Sequence, residues 1–288
     1  MAKKQITVDF IDIHYHADPD FYLRRYNAIA AGKIYRNLQG AVVLKSHLGS
    51  TAVTATLCQS EGLPVYSSLV LNKIAGGIDY RVVMRTLSER SASNDLLLLV
   101  HLPTIVKTTH TSKLKRKYAN EFIADYANEV EPVTIDGKSL RPEVIDILKM
   151  SNDFPIVIST GHANQHELEL IIEACDKLGI KKLLLNQPAS PITGLKLKQL
   201  QAMSNMYHFI WTEQTSLTYL LGYQEWDDFM SVLTSLPRVI YSSDLGQIEQ
   251  LDINEWLSIS KEWFNKMKIS QTKIREIMLD NPLKLLQE

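Results

Sequence analysis

The chain has 288 residues, of which 45% are hydrophobic and 22% charged, and its formal net charge is −1. This is globular composition, ample to bury a core without crosslinks, and it excludes disorder over most of the length. It also excludes a general electrostatic pull toward nucleic acid or acidic membranes, so any such partner would need a local patch.

Only Cys58 and Cys175 are present, far apart and in no CxxC arrangement, so neither a disulfide framework nor a thiolate zinc site can be read. No run approaches the roughly 18 apolar residues of a membrane span, and the N-terminus leads into a strand-like stretch instead of a signal peptide. The expectation is a soluble protein of a reducing, cytoplasmic compartment.

In chain order, short β-branched or Leu-rich runs occupy 6–13, 41–44, 65–71, 96–102, 156–159, 182–185, 208–212 and 238–242. Most are continuously apolar, which suits parallel strands covered on both faces. Helical spacing occupies 22–31, 52–61, 80–91, 142–150, 165–178, 195–203 and 216–233, followed by two closing helices at 253–267 and 272–279. Pro142 suits a first helical position, and Gly179 suits the left-handed residue after a helix. Eight strands alternating with helices give a closed (β/α)8 barrel or a large doubly wound sheet.

A single domain over 1–288 is expected, with an excursion at about 103–140 after the fourth strand. The excursion carries Lys107, Lys113, Lys115, Arg116 and Lys117 and reads as partly helical from Leu114 to Tyr126. Its basic run reads as a solvated helix face, with contact to a phosphate or an acidic substrate as the alternative.

The first strand ends in Asp12-Ile13-His14-Tyr15-His16, where period two aims both imidazoles the same way, toward two adjacent positions around a borderline divalent ion. Lys45 and His47 repeat that spacing after the second strand; taken alone they also read as a capping lysine beside a surface histidine. His162 follows the fifth strand after Gly161, and Asp244 follows the eighth, where a carboxylate can bind a metal and accept a proton from water but can equally cap a helix. His101 ends the fourth strand, as a pocket residue or a structural one. Glu213 follows the seventh and is a candidate for contact with substrate. All these residues fall at C-terminal strand ends, the rim where barrel active sites assemble, and that convergence selects the barrel over the open sheet.

This pattern resembles the amidohydrolase superfamily of metal-dependent hydrolases, whose members carry His-x-His after the first strand, histidines after later strands and Asp after the eighth. The match spans nearly the whole chain. The set Asp12-Ile13-His14-Tyr15-His16, Lys45-Ser46-His47, Thr160-Gly161-His162 and Ser243-Asp244-Leu245-Gly246-Gln247 is similar to a poorly characterised branch of it, and Asn281-Pro282-Leu283-Lys284-Leu285-Leu286 resembles a common ending of these enzymes.

The resemblance implies a TIM barrel with a metal held by His14, His16, His47, His162 and Asp244, and with Asp244, His162 and Lys45 in catalysis. It implies zinc, with manganese, iron or nickel as alternatives, as one or two ions. Lys45, His101, Gln187 and Glu213 would meet a small-molecule substrate, with Lys45 as a cation steadying an anionic substrate or developing oxyanion in preference to a carboxylated, metal-bridging lysine. Homo-oligomers are common in the superfamily.

One departure stands out: Gln187 occupies the position after the sixth strand where the superfamily usually has histidine. Glutamine is a poor zinc ligand, so a mononuclear enzyme, an altered metal preference and a loss of hydrolytic power all follow as outcomes. Metal-assisted hydrolysis of a small amide, ester or lactone is the leading expectation. The alternatives are a phosphoesterase resembling the TatD-like nucleases and a catalytically silent ligand-binding barrel.

Overall fold

The apolar runs become strands with both faces buried. The computed structural model describes residues 8–92, 94–126 and 129–287. Its barrel strands are β1 Phe10–Tyr15, β2 Gly40–Leu44, β3 in two pieces (Val65–Tyr66 and Ser68–Val70), β4 Leu98–His101, β5 Ile156–Ser159, β6 Leu183–Leu185, β7 Ile210–Thr215 and β8 Val239–Ser242.

Every neighbouring pair is parallel, and two ladders run from β1 to the first piece of β3 and from its second piece to β8. Ser67 joins them. The circle closes where the Asp244 N–H donates to the His14 carbonyl (2.8 Å) and the His16 N–H to the Leu245 carbonyl (2.8 Å).

Alternation sorts the side chains into two shells. Ile13, Val43, Leu99, Val157, Leu184 and Ile240 fill the barrel interior, while Phe10, Val42, Leu98, Ile158 and Leu185 face the helix layer. The helices are α1 Ala28–Asn37, α2 Ala52–Ser60, α3 Tyr80–Glu89, α4 Pro142–Asp153, α5 Gln165–Leu178, α6 Leu197–Met206, α7 Ser216–Leu220, α8 Trp226–Ser235, α9 Ile253–Lys266, α10 Gln271–Arg275 and α11 Asn281–Leu286. Local chemistry sets their ends: Asn164 and Glu167 form a capping box on α5, and Gly179 closes it at φ 65°. At the floor, Leu279, Leu285 and Leu286 enter the interior cluster, and the Leu97 N–H donates to the Leu286 carbonyl at 2.7 Å. None of the described helices is long and apolar enough to cross a membrane.

Four expectations are corrected. The first strand, expected over 6–13, runs over Phe10–Tyr15, so His14 lies inside it; residues 6 and 7 lie outside the described residues. The first helix begins at Ala28 and not at 22, because Asn27 caps it by accepting the Ala30 N–H at 2.8 Å. The stretch 216–233 splits into α7 and α8 around Gly222, whose φ of 65° takes the chain out of the helix.

The fourth correction concerns the excursion. Among the described residues between β4 and α4, Glu121–Tyr126 alone is helical, as a 3₁₀ turn, so the helical part of 114–126 is confined to its second half. Residues 113–117 lie in neither helix nor strand and Tyr118 bridges Tyr22, with the Leu23 N–H on the Lys117 carbonyl (2.9 Å) and the Ala119 N–H on the Phe21 carbonyl (3.1 Å). Tertiary hydrogen bonding overrides helix propensity here.

The seam between β1 and β8 depends on a buried carboxylate. Asp12 accepts the His14 N–H (3.1 Å), the Ser243 N–H (3.0 Å) and the Tyr35 hydroxyl (2.6 Å). Removing it strands three buried donors, each costing about 1–3 kcal/mol. Asp12→Ala should therefore lose about 3 kcal/mol or more of unfolding free energy in urea titration, and Tyr35→Phe distinctly less.

Candidate metal centre

Placing the two histidines requires an irregularity in β1. The register against β2 shifts between Asp12 and Tyr15. Before the shift Ile11 and Ile13 face the interior; after it Tyr15 joins the outer shell, packing edge-on against Tyr35 at 5.6 Å. His14 and His16 therefore face inward, although strict alternation from Ile13 would turn His14 outward. Bulges commonly re-aim a side chain beside an active site in this way.

Both rings point Nε2 at one carboxylate oxygen. His14 Nε2 lies 3.0 Å and His16 Nε2 3.3 Å from Asp244 Oδ1, and the three ligand atoms lie within 4.8 Å of one another. Each Nδ1 is held by a second carboxylate: His14 by Glu213 Oε1 at 2.9 Å and His16 by Asp20 Oδ2 at 3.1 Å. An ionised carboxylate only accepts, so Nδ1 of both rings carries a proton, and Nε2, turned to Asp244, is the nitrogen that a cation would take as its ligand. Histidines oriented in this manner by outer carboxylates are typical metal ligands. The donor set of two imidazole nitrogens and one carboxylate oxygen fits a single divalent cation of the zinc type.

The outer carboxylates are themselves anchored. Asp20 is fully buried and accepts from Arg24 Nε (2.7 Å), the Ser46 hydroxyl (2.9 Å) and the His47 N–H (2.7 Å). Burial opposes its charge, but the Arg24 guanidinium and the His16 hydrogen bond outweigh burial and hold it well below the usual carboxylate range. Glu213 also accepts from the Ser242 hydroxyl at 2.7 Å.

Asp244 is likewise kept well below its ordinary value, with burial overcome by His14 and His16. Burial disfavours charge on His14 too, yet Asp244 and Glu213 push its pKa up to about 9, whereas at His16 burial and Arg24 keep the pKa down.

Two loop residues at the site adopt left-handed backbone, Gln187 at φ 47° and Asp244 at φ 55°. Such conformations are uncommon for residues with a Cβ and cluster at functional sites. They bring Gln187 Nε2 to Asp244 Oδ2 at 2.5 Å.

The remaining sequence-predicted residues divide between the cavity and the layer beneath it. His47 lines the cavity, bonds Thr104 (Nδ1 to Oγ1, 2.9 Å) and stacks on the His16 ring at 4.9 Å, and it lies outside the cluster of His14, His16 and Asp244. His162 also lines the cavity outside that cluster, and burial, aided by the Lys45 charge, pushes its pKa down to about 3. Lys45 donates to Asn186 Oδ1 at 2.8 Å within the same cavity, and burial pushes it down to about 8.

His101 and Glu213, expected to meet substrate, are corrected to positions off the cavity wall. His101 bonds Ser159 Oγ at 2.8 Å, and Glu213 lies inside β7, 1% exposed, and spends Oε1 on His14 and Ser242. Their strands run far enough to bury them in the polar layer below. Gln187 does reach the cavity wall, with its amide engaged by Asp244. Asp20 and Thr104 were not singled out in the sequence, and Asp12 was quoted in the first-strand motif without a role; the spacing of Asp20 four residues after His16 and four before Arg24 was the available signal.

Removing an outer carboxylate should weaken metal binding without unfolding the barrel. Glu213→Gln and Asp20→Asn should each lower zinc affinity about 10- to 100-fold in competition titrations with a chelator, with far-UV circular dichroism unchanged.

Residues 9–211 match the model of a family of unknown function, DUF6282. No curated protein matches the chain significantly. Among solved structures it is similar to an uncharacterised TIM-barrel protein from Bordetella bronchiseptica, at 11% identity and a TM-score of 0.55 over 96% of this chain and 97% of that one. It is also similar to an amidohydrolase from Burkholderia multivorans, solved with bound HEPES (10% identity, TM-score 0.58) and with bound zinc (11%, 0.53), over 96% of this chain and 98% of that one in both cases. The likeness agrees with the closed ladder and with the barrel fold that the motif resemblance implies. The chain therefore belongs to the family of unknown function DUF6282, and its fold is the (β/α)8 TIM barrel shared with amidohydrolases.

Proposed function

We propose that this protein is a metal-dependent hydrolase of small amides, esters or lactones, with one divalent cation, zinc first, held by His14, His16 and Asp244. The observation that carries the reading is the meeting of two oriented Nε2 atoms on Asp244 Oδ1 at 3.0 and 3.3 Å. The zinc bound by the Burkholderia amidohydrolase supports the choice of metal. A single ion is favoured because these three residues are the one such cluster among the described residues. The cavity above them measures about 230 Å³, below the roughly 300–1,000 Å³ of pockets for drug-sized ligands, which favours a small substrate over a polymer.

A bound divalent cation supplies Lewis acidity toward a substrate carbonyl and lowers the pKa of water toward about 7. The chain's residues supply the rest. Asp244 takes the proton from the attacking water and passes it to the leaving group. Lys45 is still mainly cationic at neutral pH with its pKa at about 8, and it steadies the negative charge developing on the former carbonyl oxygen. His162, kept neutral by burial, offers a ring nitrogen for orienting the substrate by hydrogen bonding. Gln187 keeps the Asp244 carboxylate turned toward the two histidines.

Purified protein should carry one divalent metal per chain, and chelation should abolish turnover on a panel of esters, lactones and amides. Asp244→Asn should lower kcat about 10²- to 10⁴-fold, the range of a lost general base. His14→Ala and His16→Ala should lose tight zinc binding while remaining folded; wild-type zinc affinity in either variant overturns the assignment.

A further inference from the structure

The charge inside the cavity is unbalanced. Among the described residues Asp244 is the one carboxylate on its wall, and that group is engaged by His14, His16 and Gln187. Two cations, Lys45 and Arg116, line the same cavity, and neither has an ion-pair partner among the described residues. Glu249 lines the adjoining cleft with Arg116 and makes no ion pair with it. Zinc bound by two neutral imidazoles and one carboxylate adds a further positive charge. A cavity this cationic binds anions in preference to neutral molecules.

Arg116 is also positioned. Its strap is tied on one side by the Lys113 N–H to the Tyr223 hydroxyl (2.7 Å) and Lys113 Nζ to the Leu221 carbonyl (2.6 Å), and on the other by the Leu23 N–H to the Lys117 carbonyl (2.9 Å). Between these ties the guanidinium lies over the Tyr22 ring, 5.0 Å from its centroid, and Tyr22 is itself a cavity residue. Stacking on a ring face orients the planar fork and leaves its N–H edge free for a bidentate acceptor. Arg116 is itself exposed to solvent and lines the same cavity as His47 and His162. Much of the remaining wall is apolar, with Ile105, Val106, Ile192 and Leu217.

We propose that the substrate carries an anionic group, a carboxylate or a phosphate, remote from the bond that is hydrolysed, and that Arg116 binds this group. The proposal rests on the hydrolase reading above, because the position of the reacting end is set by the His14, His16 and Asp244 cluster. A substrate so shaped places its carbonyl at the cluster, a short apolar body along the wall and its anionic tail at the strap.

Calorimetric binding of small probes to the zinc-loaded protein tests this without a known substrate. Glutarate, with two carboxylates, should bind wild type about 10-fold or more tightly than butyrate, which has one. Arg116→Gln should erase that difference, whereas substitution of the neighbouring exposed lysine, Lys115→Gln, should preserve it. 3-Phosphonopropionate separates the two tail chemistries: whichever dianion loses more affinity in Arg116→Gln identifies the group.

Equal binding of glutarate and butyrate, or equal losses in the Arg116 and Lys115 variants, overturns the proposal. Zinc titrations of wild type and Arg116→Gln run alongside. Absence of zinc uptake by wild type sinks the hydrolase reading, while intact uptake with Arg116-independent glutarate binding sinks the anionic tail alone.

Discussion

The chemistry of this barrel depends on one seam, where the chain leaving β8 crosses the end of β1. Two of the three metal-ligand candidates sit at the end of the first strand and the third just past the last, so only a closed barrel brings them together. The seam is made by backbone: Asp244 and Leu245 exchange hydrogen bonds with His14 and His16 at 2.8 Å. Asp12 gathers the Ser243 and His14 N–H groups beneath it. The approach is close enough to dictate sequence, since a Cβ on Gly246 would lie 1.8 Å from the His16 carbonyl oxygen, and its φ of 118° independently favours glycine. An error in this crossing would displace Asp244 from the imidazoles, so folding and ligand geometry are one problem here.

Above the apolar barrel core lies a buried polar layer organised in pairs: Lys45 with Asn186, His101 with Ser159, and Glu213 with Ser242 and His14. Burying such groups is costly unless each finds a partner. The pairing is incomplete, for His101 Nε2, Asn186 Nδ2 and Glu213 Oε2 have no partner, and the Lys45 ammonium has no carboxylate within ion-pair reach among the described residues. A layer kept this polar at the C-terminal strand ends gives up stability that leucines would supply. On the hydrolase reading, polarity kept at these strand ends at the expense of packing accords with a site shaped for reaction.

Much of the fold was legible because a parallel barrel writes itself plainly: buried strands are continuous apolar runs, helices keep a 3.6-residue period, and α5 matched its expected bounds through its capping box and Gly179. His14, His16 and Asp244 were legible as residues at strand ends. The bulge in β1 was not, because it depends on pairing with β2 and leaves no mark on residue type. Glu213 illustrates the consequence: with β7 placed at 208–212 it fell beyond the strand end, whereas the true span, Ile210–Thr215, carries it into the interior layer under His14. The excursion was misread for a related reason. Lys113 to Lys117 has the composition of a helix face, but the Lys113 N–H donates to the Tyr223 hydroxyl, the Lys117 carbonyl accepts from Leu23, and just beyond it the Ala119 N–H donates to Phe21.

Gln187 is where sequence alone leaves activity most open, because a glutamine in place of a ligand reads equally as loss and as rewiring. Its side chain bears on the choice. The amide nitrogen lies 3.5 Å from His14 Nδ1 and donates to Asp244 Oδ2, while Oδ1 is the oxygen nearest the two Nε2 atoms. A neutral donor on Oδ2 fixes the carboxylate plane and leaves Oδ1 directed at the two Nε2 atoms, as a ligand must be. Oδ2 has a second lone pair, since each carboxylate oxygen accepts more than one hydrogen bond, so it can take a proton from water without releasing Gln187. On the hydrolase reading the substitution thus exchanges a second metal anchor for a positioning residue on the base. Asp244, whose left-handed backbone already commits it to this orientation, then serves one ion as both ligand and proton acceptor.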